Sequence, residues 1–359
     1  MLTSEYLTCP DLFADTVVDW QKTDGRNALP WQQDPSPYRV MVSELMLQQT
    51  QVTTVIPYFQ RWMQVFPTVQ TLAAAPEDEV MKMWQGLGYY SRARNLHGTA
   101  KHIAGELKGK FPSTFVEIKK LKGVGDYTAA AISSFVFGER QAVVDGNVIR
   151  VLARVFGIDT PYDTTAGKKQ ITALAQELID ENQPGAYNQA IMDFGATVCT
   201  PQAPKCPSCP LQQICVAYKD GRIAELPVKS KKLTIKDRHF NYLLIKTEKE
   251  ILISKRSGKD IWKDLYELPL IETATPLKRN ISATVADYLE TGEFTIHSYS
   301  KPISQMLTHR KIHFRFIEVE LTDFKSFKME GILKVKVQDL HKFAFPKTIH
   351  LFLGQNNLL

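Results

Sequence analysis

Cysteine is scarce in this chain, five in 359 residues, and unevenly placed: Cys9 stands alone, while Cys199, Cys206, Cys209 and Cys215 share one short stretch. An odd count argues against a secreted disulfide framework and for a reducing compartment. Long apolar runs are missing as well. No window of roughly eighteen apolar residues occurs, which excludes a helical membrane span. The first thirty residues carry Asp11, Asp15, Asp19 and Asp24 and no apolar stretch, which speaks against a signal peptide. The expectation is a soluble cytoplasmic chain with no membrane partner, its short N-terminus without an organelle address suiting a bacterium. Neither sign of charge dominates: 44 Lys and Arg against 38 acidic residues give +6, a slight bias toward a polyanionic partner. Internal repeats and low-complexity segments are absent.

What is present divides the chain in two. At 359 residues and 44% hydrophobic composition there is material for two cores. Helix-period apolar patterns run through residues 11–218, over Tyr38 to Val55, Glu77 to Tyr90, Ala93 to Leu107, Tyr127 to Phe137 and Asn147 to Phe156. Residues 219–238, with the basic run Pro227-Val228-Lys229-Ser230-Lys231-Lys232, have little apolar periodicity and read as a linker. Beyond it lie strand-like runs, Tyr242 to Ile245, Ile251 to Lys255, Phe294 to Tyr299 and His313 to Leu321, and one helical stretch near Ile281 to Leu289. The expected architecture is an all-α domain over residues 1–218 followed by an α+β domain over 239–359.

The four clustered cysteines are separated by six, two and five residues, too tightly tethered for two comfortable disulfides. Four soft sulfurs suit an iron-sulfur cluster or zinc. A zinc ribbon usually carries two well-separated C-x2-C pairs, whereas only Cys206 and Cys209 form one here, so the spacing favours the cluster. Lys205, Arg150 and Arg154 are expected to give this region a basic rim.

Leu121-Lys122-Gly123-Val124-Gly125 runs directly into the helix-forming Tyr127-Thr128-Ala129-Ala130-Ala131-Ile132. Two glycines entering a helix expose amides beside its positive end, a small phosphate site that grips a DNA backbone without reading sequence. Glycine also serves any short helix connection, so the motif alone leaves DNA binding open. Asp145 opens another amphipathic stretch and has the plain reading of a helix cap. Glu44 is harder to dismiss. Within Val40-Met41-Val42-Ser43-Glu44-Leu45-Met46-Leu47 it has apolar neighbours on both sides, and burial would raise its pKa. A protonated carboxyl beside an ionised one is the arrangement that cleaves glycosidic bonds.

Taken together, Leu121-Lys122-Gly123-Val124-Gly125-Asp126-Tyr127-Thr128-Ala129, Val144-Asp145-Gly146-Asn147-Val148-Ile149-Arg150-Val151-Leu152-Ala153-Arg154 and the C-x6-C-x2-C-x5-C cysteines resemble the endonuclease III, or helix-hairpin-helix, superfamily of DNA glycosylases. Leu29-Pro30-Trp31, Ser43-Glu44-Leu45-Met46-Leu47-Gln48-Gln49-Thr50-Gln51-Val52, Pro57-Tyr58-Phe59 and Trp84 through Leu96 are similar to its MutY branch of adenine glycosylases. The resemblance covers residues 15–218 strongly and the remainder more weakly. It implies a hairpin at about 113–137, a [4Fe-4S] cluster on Cys199, Cys206, Cys209 and Cys215, and removal of adenine mispaired with 8-oxoguanine or guanine in double-stranded DNA, by a monomer associated with the nucleoid. It makes Glu44 the general acid and Asp145 the carboxylate that stabilises or traps the sugar cation, with Tyr127 and Asn147 in support. Leu29, Trp31 and Gln189 fall at the adenine pocket, Gln189 where some relatives carry an acid. Gln49, Leu87 and Tyr89 match the residues that fill the hole left by a flipped base, although Leu87 and Tyr89 read as core residues without the motif. Lys122, Gly123, Val124 and Gly125 would hold the phosphate.

Lyase members of the superfamily place a lysine two residues after the second hairpin glycine, where this chain has Tyr127, so strand scission is not expected. The C-terminal part resembles the MutT-like (Nudix-like) domain with which MutY proteins recognise 8-oxoguanine, through Ile261-Trp262-Lys263-Asp264-Leu265-Tyr266-Glu267-Leu268-Pro269. It lacks the R-E-x2-E-E carboxylates of a working pyrophosphatase and is expected to bind without hydrolysing. The family's reader loop is Phe-Ser-His; here Leu307-Thr308-His309 keeps the hydroxyl and imidazole and loses the aromatic ring. The rival readings are an endonuclease III-like lyase for oxidised pyrimidines and a non-catalytic DNA-binding protein.

Overall fold

The structure, a computed structural model, describes residues 10–230 and 234–359; Cys9 and residues 231–233 of the expected linker lie outside the described residues. In chain order the helices are α1 (Pro10–Asp24), α2 (Pro37–Leu47), α3 (Val52–Val65), α4 (Val69–Ala74), α5 (Glu77–Trp84), α6 (Ser91–Gly105), α7 (Phe115–Ile118), α8 (Asp126–Phe137), α9 (Gly146–Val155), α10 (Thr165–Leu178), α11 (Pro184–Thr197) and α12 (Val216–Lys219). Strands follow: β1 (Lys236–Ile245), β2 (Glu250–Lys255), β3 (Tyr266–Glu267), β4 (Leu270–Thr273), β5 (Phe294–Tyr299), β6 (Ile303–Met306), β7 (Arg310–Leu321) and β8 (Ile332–Lys336), with helices α13 (Ile281–Leu289) and α14 (Lys347–Gln355).

Two expected helices are shorter than their periodicity suggested. The stretch from Tyr38 to Val55 is broken between Leu47 and Val52, where Gln49 takes a positive φ of 57°. Gln48-Gln49-Thr50-Gln51 is a polar tract, and a continuous helix would carry it through the apolar face that its flanks bury. The stretch from Glu77 to Tyr90 stops at Trp84, because Gly86, Gly88 and Tyr89 have positive φ.

The chain forms two compact units. One comprises the described residues through Ala74 and then those from Asn95 to the end of the first described segment; the other joins Ala75–Arg94 to the residues after the linker. In the helical unit, α11 packs against α1, α8 and α9, around a core that includes Phe13, Val17, Val151, Leu152, Ile171, Leu174, Tyr187, Ile191 and Phe194. The starts of its helices are set locally. Ser36 caps α2 with Pro37 in the first turn, Thr114 caps α7, Asp145 caps α9 and Thr164 caps α10.

In the second unit β1 and β7 pair in parallel, with β4 antiparallel on β1 and β5 and β6 antiparallel on β7; β3, β2 and β8 make a smaller sheet. The period of two decides what each face buries. Phe240, Tyr242, Leu244, Phe314 and Phe316 pack with Ile349 and Leu353 of α14. The intervening Leu243, Ile245, Ile317 and Val319 pack with Val285 and Leu289 of α13. A strand pair buried on both faces reads as a nearly continuous apolar run, which is why β1 and β7 were visible in the sequence. β3, β4, β6 and β8 are two to five residues long and carry no such pattern.

Candidate active site

Glu44 lies on the buried face of α2 and is 3% exposed. The Tyr127 hydroxyl, one residue into α8, donates to Glu44 Oε2 at 2.5 Å. Burial pushes the Glu44 carboxyl up to about 7, with the Tyr127 hydrogen bond working against the rise and the Asp145 charge adding to it. Tyr127 itself is held well above the usual phenol range, by burial first and then by the two carboxylates. Near neutrality Glu44 is therefore poised to carry a proton, and because Oε2 is occupied by the phenol, Oε1 is the oxygen left to give it.

Asp145 is both helix cap and site residue. Its Oδ1 accepts from the Asn147 and Val148 backbone N–H groups at 2.8 Å each, and its Oδ2 from Asn147 Nδ2 at 2.8 Å. Burial pushes its carboxyl upward, but these donors and the Arg150 guanidinium act in the opposite sense. Of the two carboxyls, then, Glu44 has a single donor against its rise and Asp145 several opposing groups, so Glu44 is the better placed to carry the proton. Asn147 is fixed in turn by Arg150, whose Nη2 donates to Asn147 Oδ1 at 2.8 Å and to the Gly195 carbonyl at 2.7 Å. Gly195 is required by close approach: a Cβ there would stand 2.6 Å from Asn147 Cβ.

Glu44, Tyr127, Asp145 and Asn147 line a cavity of about 460 Å³ in the helical unit, together with Leu29, Trp31, Gln49 and Gln189. The sequence-predicted acid, carboxylate, supporting groups and base-pocket residues are thus brought to one place. The cavity wall also contains residues that the sequence reading missed. Arg26 donates from its backbone N–H to Asp193 Oδ2 at 2.6 Å and pairs through Nε with Asp193 Oδ1, and Asp193 is almost completely buried. Met192 Sδ lies 3.3 Å from the Tyr127 hydroxyl. Arg26 and Asp193 are far apart in sequence and belong to no local pattern; an acid inside the apolar periodicity of α11 was the one available signal.

α7 leads through Leu121–Gly125 into α8, within the 113–137 stretch expected to be the hairpin. Gly123 has φ +77°, and a Cβ on it would stand 2.4 Å from the Asn95 side chain. Lys122, Gly123 and Gly125 are exposed and Val124 is buried, so this loop does not line the cavity.

Arg150 and Arg154 do not form a basic rim. Arg154 is 2% exposed and spends its guanidinium on the carbonyls of Leu226, Thr200 and Pro201, with Cys199 Sγ 3.5 Å from Nη1. Arg150 Nε donates to the Cys199 carbonyl at 2.7 Å. A rim would leave these carbonyls without donors, so burial wins. The two arginines fasten the start of the cysteine loop to α9. The four thiols are close enough to perturb one another: burial and neighbouring sulfurs push Cys209 up to about 11, and Cys206 and Cys215 also rise. Among the described residues no three donors gather around one point as a single ion requires. Four soft thiol sulfurs near one another are donors of the kind that an iron-sulfur core takes.

In the second unit, a cavity of about 680 Å³ is lined by Leu87, Tyr89, Leu307, Thr308 and His309, along with Asp260, Trp262 and Arg310. Tyr89 is 44% exposed with φ +46°, and its hydroxyl lies 2.5 Å from Thr308 Oγ1. Leu87 is buried beside it.

Residues 42–181 match the HhH-GPD superfamily base excision DNA repair protein family, and residues 241–355 match the NUDIX domain. The adenine DNA glycosylase of Buchnera aphidicola subsp. Schizaphis graminum is 34% identical over 348 residues, 95% of this chain and 98% of the relative. The chain belongs to the adenine DNA glycosylase family. Membership makes it a base-excision glycosylase, a hydrolase acting on N-glycosyl bonds, with DNA as its partner. The Homo sapiens adenine DNA glycosylase is 47% identical to this glycosylase over 214 residues, 57% of this chain and 39% of the human one. A solved thermostable thymine-DNA glycosylase aligns with a TM-score of 0.55 at 28% identity, covering 61% of this chain and all of that one. An endonuclease III–DNA complex aligns at 0.52 with 24% identity, covering 62% of this chain and 99% of that one, which shows a shared fold. The glycosylase is thus multidomain, helical HhH-GPD followed by Nudix, as the sequence led us to expect. Among the described residues no helix is long and apolar enough to cross a membrane.

Proposed function

We propose that this glycosylase excises adenine mispaired with 8-oxoguanine, or with guanine, and leaves an abasic site without cutting the strand. Residues 1–218, apart from the 75–94 segment that joins the second unit, would form the catalytic domain, 219–238 the linker and 239–359 the reader of the opposite base. The observation that carries the reading is the 2.5 Å bond from Tyr127 to Glu44, with Glu44 raised to about 7 and Asp145 in the same cavity.

Flipped adenine enters between Leu29, Trp31 and Gln189. Glu44 gives its proton to adenine N7, the bond from N9 to the sugar C1′ breaks, and the electron pair leaves with the base. The positive charge left on the sugar faces the Asp145 carboxylate, which Asn147 keeps oriented. Water adds to C1′ and its proton returns to a carboxylate, completing hydrolysis. Tyr127 holds Glu44 and supplies no amine, so no Schiff base forms and no strand scission follows. Gln49, Leu87 and Tyr89 would fill the vacated stack, the Lys122–Gly125 loop would hold a phosphate, and Thr308 with His309 would meet 8-oxoguanine. Cys199, Cys206, Cys209 and Cys215 would hold a [4Fe-4S] cluster that ties residues 199–215 into one rigid loop. The protein would act as a monomer at the nucleoid.

An end-labelled duplex carrying one adenine opposite 8-oxoguanine tests this, read with and without hot alkali beside a duplex with guanine opposite. Breaks at adenine that need alkali, and form faster opposite 8-oxoguanine, are expected. Breaks without alkali would overturn the role of Tyr127 and favour the lyase reading. A cluster-loaded sample that yields no product would remove the enzymatic reading.

A further inference from the structure

The wall of the second-unit cavity contains a carboxylate that the reaction does not use. Asp260 lies between β2 and β3 and is gripped by three guanidiniums. Arg238 of β1 donates to both of its oxygens, at 2.9 and 2.7 Å; Arg256 reaches Oδ2 at 2.9 Å; and Arg310 reaches Oδ1 at 2.6 Å. Arg238 is itself anchored on Glu272, and Arg256 on the buried Glu267, to which Tyr242 also donates at 2.8 Å. Arg310 is the residue immediately after Leu307-Thr308-His309, and its carbonyl accepts from Leu307 N at 2.7 Å, closing the turn that displays those three residues. The segment bearing Asp260 is stiffly held at its other end: Trp262 and Asp264 have φ of 59° and 65°, and Arg94 binds the Lys263 carbonyl at 2.7 Å and the Asp264 carboxylate at 3.3 Å. Two non-glycine residues in the left-handed region persist only where surrounding contacts over-determine them.

We propose that Asp260 is a positioning residue for recognition of the base opposite adenine: it fixes Arg310, and through it the Leu307–His309 turn, against the sheet. The inference rests on the reading of that turn as the 8-oxoguanine reader. 8-Oxoguanine differs from guanine at two adjacent atoms, N7 and C8, so telling them apart depends on a hydrogen-bonding group held to within a fraction of an ångström. A surface ion pair would be too weak and mobile to do this. Asp260 and Arg310 are 27% and 37% exposed, but a carboxylate with both oxygens saturated by charge-assisted bonds from β1, from its own β2–β3 segment and from β7 is held more firmly than a lone pair. Removing its charge has a second consequence of opposite sign. Arg310 loses its carboxylate partner beside the expected DNA face, while Arg238 keeps Glu272 and Arg256 keeps Glu267, so non-specific attraction to phosphate rises while discrimination falls.

The test uses the full chain and single-turnover adenine release from duplexes with 8-oxoguanine or guanine opposite, for the parent, Asp260→Asn and Thr308→Ala. Asp260→Asn is expected to lower the preference for 8-oxoguanine by about tenfold while the rate opposite guanine stays within about twofold, and to bind an undamaged duplex at least as tightly as the parent. An unchanged preference, or an equal fall on both duplexes, overturns the proposal, the latter because it marks general damage to the unit. Should Asp260→Asn fail to melt cooperatively, Arg310→Gln, which removes only the link to the turn, is expected to lower the preference in the same direction, and an unchanged preference there overturns the proposal too. A parent without preference, or a Thr308→Ala that keeps it in full, shows instead that the reader reading has failed, and the proposal falls with it.

Discussion

Glu44 is held in an environment that costs stability whenever it ionises. Its folded pKa, raised to about 7 from the ordinary glutamate value of 4.5, means that its contribution to stability is fully present below about pH 4.5 and is lost as pH rises through about 7. Glu44→Gln is therefore expected to be more stable than the parent at pH 8, by on the order of 2–3 kcal/mol, and nearly equal to it near pH 4.5; denaturant titrations at the two pH values check this. On the proposed mechanism the same substitution removes the proton donor and should lower single-turnover excision by at least about a hundredfold. On that mechanism the protonated form acts, so excision should fall as pH rises through about 7. Tyr127→Phe deletes a donor that favours the ionised carboxyl, so the falling limb should move to higher pH. A limb that stays in place would show that Tyr127 does not govern the acid.

At the level of elements, the site depends on how closely α9 and α11 approach. Gly195→Ala would force Asn147 aside and loosen Asp145, with an expected loss of about 1–3 kcal/mol in stability and a fall in excision that leaves binding of uncleaved duplex intact. A thermal melt and a gel-shift assay separate the two effects. Arg154→Met should free the start of the cysteine loop, seen as faster loss of the proposed cluster's absorbance under a chelator than in the parent. Much at this scale was legible beforehand. The apolar runs of α8 and α9 follow from burial over most of their length and those of β1 and β7 from burial on both faces, and Glu44 was marked by an acid set among apolar neighbours. The breaks after Leu47 and Trp84 were less legible, because a polar tract or a glycine pair ends a helix only where tertiary contacts offer the backbone an alternative. The Arg154 role was hidden for a related reason: its partners are backbone carbonyls, which leave no mark in the sequence.

For the whole molecule, the two compact units are not two successive blocks of sequence. Residues 75–94 belong with the C-terminal sheets: Asp78 pairs with Lys255 at 2.7 Å, Lys82 donates to the Phe343 carbonyl at 2.9 Å, and Gln85 accepts from Phe345 N at 3.3 Å. A chain ending at Ser230 should keep the Glu44 and Asp145 cavity, yet its 75–94 segment should exchange amide protons and admit protease far faster than in the full chain. Equal protection in both would show that α5 needs none of these partners. This discontinuity also bears on biosynthesis. The ribosome delivers α5 and the Leu87–Tyr89 turn long before the strands that receive them. The helical unit can therefore assemble while part of its own sequence waits, and the second unit closes only once the last helix has emerged.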